Sequence, residues 1–109
     1  MPTKKRDNIP RQIRELVLRR DRRTCVYCGR QEGQTVFPGA FRLKIHVDHL
    51  IPLSRGGNSR NVFNLCCACS RCNMHKSNKT PEQARMEVAF VQEGFLYVDG
   101  QIVPDDWSE

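Results

Sequence analysis

Two short stretches, Cys25-Val26-Tyr27-Cys28 and Cys69-Ser70-Arg71-Cys72, share a Cys-x2-Cys spacing with 40 residues between Cys28 and Cys69. Each can present two thiolates to a tetrahedral Zn2+, so the pair supplies the four ligands of a structural zinc site. Such a metal ties off the ends of a long insertion and holds what lies between as a loop on a rigid base. The second pair has a competing register, because Cys66-x2-Cys69 has the same spacing. Cys69 and Cys72 are preferred: Asn73 and Lys76 then follow on a short helix, and Cys66 and Cys67 can serve as small buried hydrophobes. The alternative is a set of buried free cysteines.

Composition explains why a staple is needed. The chain has 109 residues, the length of one domain, and only 39% of them are hydrophobic. A core that thin needs a disulfide set or a metal. Behind Met1-Pro2-Thr3-Lys4-Lys5-Arg6 there is no apolar run of the kind a secretory signal carries, and no stretch approaches the roughly 18 apolar residues of a membrane span. A cytoplasmic, reducing compartment is therefore expected, with no membrane partner, and there cysteines bind metal rather than pair.

Charge is unevenly spread. Residues 1–24 carry nine Lys/Arg against three acids, residues 25–80 eight against two, and residues 81–109 one against seven. A basic body of this kind suits a phosphate-rich partner, although a merely solvated basic surface has the same composition. The acidic end cannot lie on that polyanion and is expected to pack on the far side or hang free.

Three regions follow: a disordered basic arm over 1–8, a metal-bound domain over 9–80, and an acidic helix-hairpin extension over 81–109. Asn8 and Pro10 suit a helix start, with Ile9, Ile13, Leu16 and Val17 on one face and Arg11, Arg14 and Arg19 on the other. That helix should stop near Asp21-Arg22-Arg23. A polar loop with Gly33, Pro38 and Gly39 leads to Leu43-Lys44-Ile45-His46-Val47-Asp48, whose strict alternation predicts a half-buried strand. A second short strand is expected through Val62-Phe63. Thr80-Pro81-Glu82-Gln83 reads as a capping box opening a helix through Ala84, Val88 and Val91, and Asp99-Gly100 as the turn of a hairpin over 95–103.

Between the knuckles stand Val47-Asp48-His49-Leu50-Ile51-Pro52-Leu53-Ser54-Arg55-Gly56-Gly57 and Asn64-Leu65, and Asn73-Met74-His75-Lys76 follows the last cysteine. In this order the set resembles the zinc-knuckle branch of the HNH endonucleases over residues 25–80. The resemblance implies a small α+β fold, a ββα-metal core stapled by zinc. It implies that His49 is the general base, that Asp48 and Asn73 hold a catalytic divalent metal, and that Asn64 braces the loop carrying the base. Many members have histidine where Asn73 stands. An amide oxygen is a harder ligand than imidazole and favours Mg2+ or Mn2+.

The chemistry asks for the same residue types. Phosphodiester hydrolysis needs a water activated near neutral pH, which imidazole can provide, and charge stabilisation, which a hard cation can provide. The expected activity is metal-dependent cleavage of double-stranded DNA, with Arg11, Arg14, Arg19, Lys44, Arg55 and Lys76 as phosphate contacts. Duller readings exist: a hydrogen-bonded Asp-His turn, asparagines as loop and cap residues, His46 and His75 as surface side chains. A zinc-dependent nucleic-acid-binding module without chemistry is the competing function, and a subunit docking a partner through its acidic end is a third.

Overall fold

The computed structural model describes residues 9–106. The basic arm expected over 1–8, the Asn8 cap and the last three residues lie outside that range. Helix α1 (Arg11–Arg20) starts behind Pro10, whose carbonyl accepts from Arg14 N at 2.9 Å. Ile9 and Val17 are buried beneath it, while Leu16, expected on the same face, is 52% exposed. At 100° per residue Leu16 is turned off the face that Val17 occupies. The helix ends where expected, because Arg22 and Arg23 adopt φ of 53° and 49° and turn the chain into the first knuckle.

The loop after that knuckle contains a small hairpin that its polar composition did not announce, β1 (Thr35–Val36) with β2 (Phe41–Arg42). Strand β3 (Ile45–His49) pairs antiparallel with β4 (Leu65–Cys69), setting Asp48 opposite Cys66 and His49 opposite Leu65. The second strand is not at Val62-Phe63. Val62–Asn64 is a 3-10 turn capped by Asn61, whose side chain accepts from Phe63 N, and the strand is the next five residues. All five residues of β4 are buried, so the sequence there has no in-out alternation to read.

Helix α2 (Ser70–Lys76) leaves β4 directly, with Cys69 as its cap. The chain thus completes a strand pair followed by a helix. Helix α1 is tied to β4 by Asp21, which is 2% exposed, accepts from Arg20 Nε at 2.7 Å and accepts from Cys67 N at 2.9 Å. Arg20 also donates to Val62 O and Leu65 O.

The helix expected from Pro81 does not form. Thr80 and Gln83 make both capping-box bonds, at 3.0 and 3.2 Å, but one turn later Arg85 takes φ +58° and the chain runs on without helix. Tertiary contacts override the local start signal: Ala89 N and Phe90 N both donate to Val26 O in the first knuckle, and Val88 and Val91 pack on the core. The hairpin forms as read, β5 (Phe95–Val98) with β6 (Gln101–Pro104), through Asp99-Gly100 at φ 51° and 82°. Ile102 and Val103 of β6 are almost fully buried, so this extension closes the core instead of hanging free. No helix among the described residues is long and apolar enough to cross a membrane.

Candidate functional site

The sulfurs of Cys25, Cys28, Cys69 and Cys72 all lie within 4.8 Å of one another, and Cys28 Sγ is 3.8 Å from Cys69 Sγ. A tetrahedron with zinc–sulfur bonds of about 2.3 Å has edges of about 3.8 Å, so the spacing fits zinc. Backbone geometry builds it: Gly29 N returns to Cys25 O, and Cys69 Sγ accepts from Cys72 N at the start of α2. Burial pushes the Cys25 thiol up, and burial together with the neighbouring thiolates pushes Cys72 up. Burial raises Cys28 as well, but hydrogen bonds from the Arg30 backbone and from Cys25 and Cys69 outweigh it and leave that thiol below its ordinary value. Four sulfurs so packed cannot all ionise unless a cation joins them.

The competing register is not built. Cys66 and Cys67 are fully buried and stand outside the four-sulfur cluster. Burial raises both thiols, Cys66 well above its usual range and Cys67 to about 12, so both stay protonated and behave as small hydrophobes.

Asp48 and His49 end β3 at a cleft of about 280 Å3 lined also by Pro52, Leu53, Lys76 and Asn78. His49 is 9% exposed, and its Nε2 lies 3.1 Å from Ser59 Oγ. Asp48 Oδ2 is buried and has no hydrogen-bond partner; its charge partner is Lys76 Nζ at 3.4 Å. Burial pushes the Asp48 carboxyl above its ordinary value, and the Lys76 ammonium opposes that rise without cancelling it. A carboxylate at the edge of an open cleft is the type of oxygen ligand that a hard cation takes.

Asn64, 2% exposed, ties the loop that follows His49. Its Oδ1 accepts from Ile51 N at 2.8 Å and its Nδ2 donates to Ile51 O at 3.1 Å. Gly57 lies against this clasp with no room for a Cβ between Ile51 O and Asn64 Nδ2, and Gly56 turns the chain at φ +93°. Both glycines of the Gly-Gly pair are thus required by geometry.

The sequence-derived site is only partly gathered here. Asp48 and His49 line the cleft, and Asn64 braces it from behind. Asn73 is half-buried on α2, one turn before Lys76, and is not among the residues lining the cleft. Lys76 needs correction as a surface phosphate contact. It is 1% exposed and donates to His49 O at 2.6 Å, so its ammonium is committed inside the protein between His49 and Asp48. Arg11, Arg19 and Lys44 are exposed, Arg14 is half-buried, and exposed Arg55 reaches Asn78 O at 3.0 Å on the rim of the cleft. Ser59 was missed altogether: a serine in a polar loop carries no spacing signal that it will meet an imidazole ten residues upstream.

Compared with known families, residues 25–79, just over half of the chain, match the model of the HNH endonuclease. The chain belongs to the HNH endonuclease family. The matched span begins at the first zinc-knuckle cysteine and takes in Asp48, His49, Asn64, Asn73 and Lys76, so all the residues gathered around the cleft fall inside it. No curated protein matches the chain. As an HNH protein it has nucleic acid as its substrate class, and its helix α1 and its 81–106 segment are elaborations around the matched core.

Proposed function

We propose that this HNH protein is a metal-dependent endonuclease that hydrolyses phosphodiester bonds in double-stranded DNA. The observation that carries the reading is the cleft itself: a histidine and a buried carboxylate, the latter ion-paired to Lys76, side by side at the end of β3, within the family's matched span. Zinc at the four cysteines is structural, since all four ligands are protein sulfurs and no position is left for a substrate.

In this reading His49 takes the proton from the attacking water. Its Nε2 lies 3.1 Å from Ser59 Oγ, a contact that holds the ring against rotation. Lys76 holds the His49 carbonyl, and Asn64 holds the next turn of chain through both backbone atoms of Ile51, so the base is positioned from two sides. Asp48 would hold Mg2+ or Mn2+, and Asn73, on α2 outside the cleft lining, is the second ligand that the family resemblance assigns. When bound there, such a cation neutralises charge on the phosphate and on the departing oxygen. With only two protein ligands, affinity for the cation depends on phosphate oxygens from the DNA, so the two bind together.

The rival reading is a zinc-dependent binding module that keeps the basic surface and lacks turnover. Supercoiled plasmid incubated with the zinc-loaded protein, with and without Mg2+ or Mn2+, separates the two. Conversion to nicked or linear DNA only with added metal supports the nuclease; retarded but intact plasmid under every metal supports the binding module.

A further inference from the structure

We propose that the β1–β2 hairpin is a DNA-wedging finger, whose Phe37 ring inserts against the base stack of the duplex engaged by the nuclease site. The inference rests on the reading of the chain as a DNA endonuclease and adds a contact that neither the motif nor the cleft supplies.

The finger is anchored at its base and apolar at its tip. Val36 and Leu43 are buried, and Leu43 extends the pairing by accepting from Gly33 N at 3.0 Å and donating to Gln34 O at 2.8 Å. Between these anchors Phe37 is 73% exposed and Phe41 47% exposed, with Pro38, Gly39 and Ala40 also at the surface. Phe41 Cδ2 lies 3.6 Å from where a Cβ on Gly39 would stand, so its ring lies close to the turn. Exposed aromatic and proline side chains at the tip of a short hairpin are the apolar wedges with which proteins pry apart base steps.

Charge selects the occupant. Arg30, Arg42 and Lys44 flank the finger and are exposed, and Glu32, the one carboxylate between residues 29 and 47, is already paired with Arg23 at 2.8 Å. A second copy meeting it through the same face would set like charges against each other; a polyanion neutralises them. Nine residue steps join Gly39 to Asp48, which bounds the distance from tip to cleft at about 30 Å, or about nine base pairs of duplex.

The test uses the full, zinc-loaded chain carrying His49→Ala, so that DNA stays intact. Binding is followed by fluorescence anisotropy on a duplex of about 30 base pairs, several times the reach of the finger, with 2-aminopurine placed step by step along it. Phe37→Ala should weaken binding roughly 5- to 100-fold, the range for losing one base–aromatic contact, and should abolish the rise in 2-aminopurine emission at one step. Because no charge is removed, the slope of log K against log salt should not change, whereas Arg42→Ala with Lys44→Ala should reduce it by about two. Phe37→Trp, which keeps a stacking ring, should retain both affinity and emission. Since Phe37 is exposed, zinc content and unfolding midpoint should match the parent in every variant. Equal affinity of Phe37→Ala and its parent on DNA that the unmodified protein cuts overturns the finger alone. A parent protein that does not bind duplex at all overturns the finger and the nuclease reading together.

Discussion

Replacing Lys76 by methionine keeps the straight apolar stem and removes only the ammonium, which makes it a clean probe of the buried charge beneath the cleft. At an effective dielectric constant of about 20, unit charges 3.4 Å apart attract by about 5 kcal/mol, and desolvation of both groups takes back much of that. Removing one partner of a buried pair typically costs about 3–5 kcal/mol, because the other charge is left behind. The Asp48 side chain is still 17% exposed, which moves the expectation toward the lower end. Loss of the 2.6 Å bond to His49 O contributes about 1.5–3 kcal/mol of the same total, as hydrogen bonds from charged donors do. We expect Lys76→Met to destabilise the domain by about 3 kcal/mol in urea unfolding followed by circular dichroism, with zinc still bound. Adding Asp48→Asn removes the abandoned carboxylate and should recover about half of that loss, a coupling that a double-mutant cycle reads directly. A cost below about 1 kcal/mol for Lys76→Met, the size of an ordinary surface substitution, would refute the buried role, as would strict additivity of the two changes.

The other substitutions test separate parts of the structure. Cys72→Ser should release zinc and unfold the chain, since structural zinc contributes about 10–16 kcal/mol of folding free energy, whereas Cys66→Ala should keep full zinc content by elemental analysis; the reverse ranking would mean the other cysteine register. Gly57→Ala should break the Ile51–Asn64 clasp and cost more than about 2 kcal/mol, against a few tenths for Ala at exposed Gln12, and equal unfolding midpoints for the two would contradict the close approach. The Asp48 carboxyl is raised above its usual 3.8, so the folded metal-free chain holds that proton longer than the unfolded one. Stability should therefore decline as pH rises from about 4 through the raised value, and Asp48→Asn should flatten that part of the urea-unfolding profile; an unchanged slope in the variant would place the effect elsewhere.

Much of the site was legible because its residues are tied to spacing. Two Cys-x2-Cys pairs must converge if one metal is to be bound, and the alternation from Leu43 to Asp48 places Asp48 and His49 at the end of a half-buried strand. What stayed hidden depended on tertiary burial. Strand β4 has both faces covered, so Leu65–Cys69 shows no period of two and the strand was placed three residues early. Lys76 was read as a surface cation because lysine is almost never fully buried unless paired, and its partners lie 27 and 28 residues upstream. The capping box at Thr80 was correctly recognised, yet it secures only one turn when the following backbone is drawn onto Val26. Ser59 had neither periodicity nor motif to mark it.

The most direct test of the account is turnover by His49→Ala measured beside its zinc content and DNA affinity. The account predicts a loss of about 100- to 10,000-fold in plasmid cleavage, the usual contribution of a general base, with zinc and affinity unchanged and no recovery at high Mg2+ or Mn2+. Asp48→Ala, by contrast, should regain part of its lost activity as metal is raised. Normal cleavage by His49→Ala would contradict the central claim.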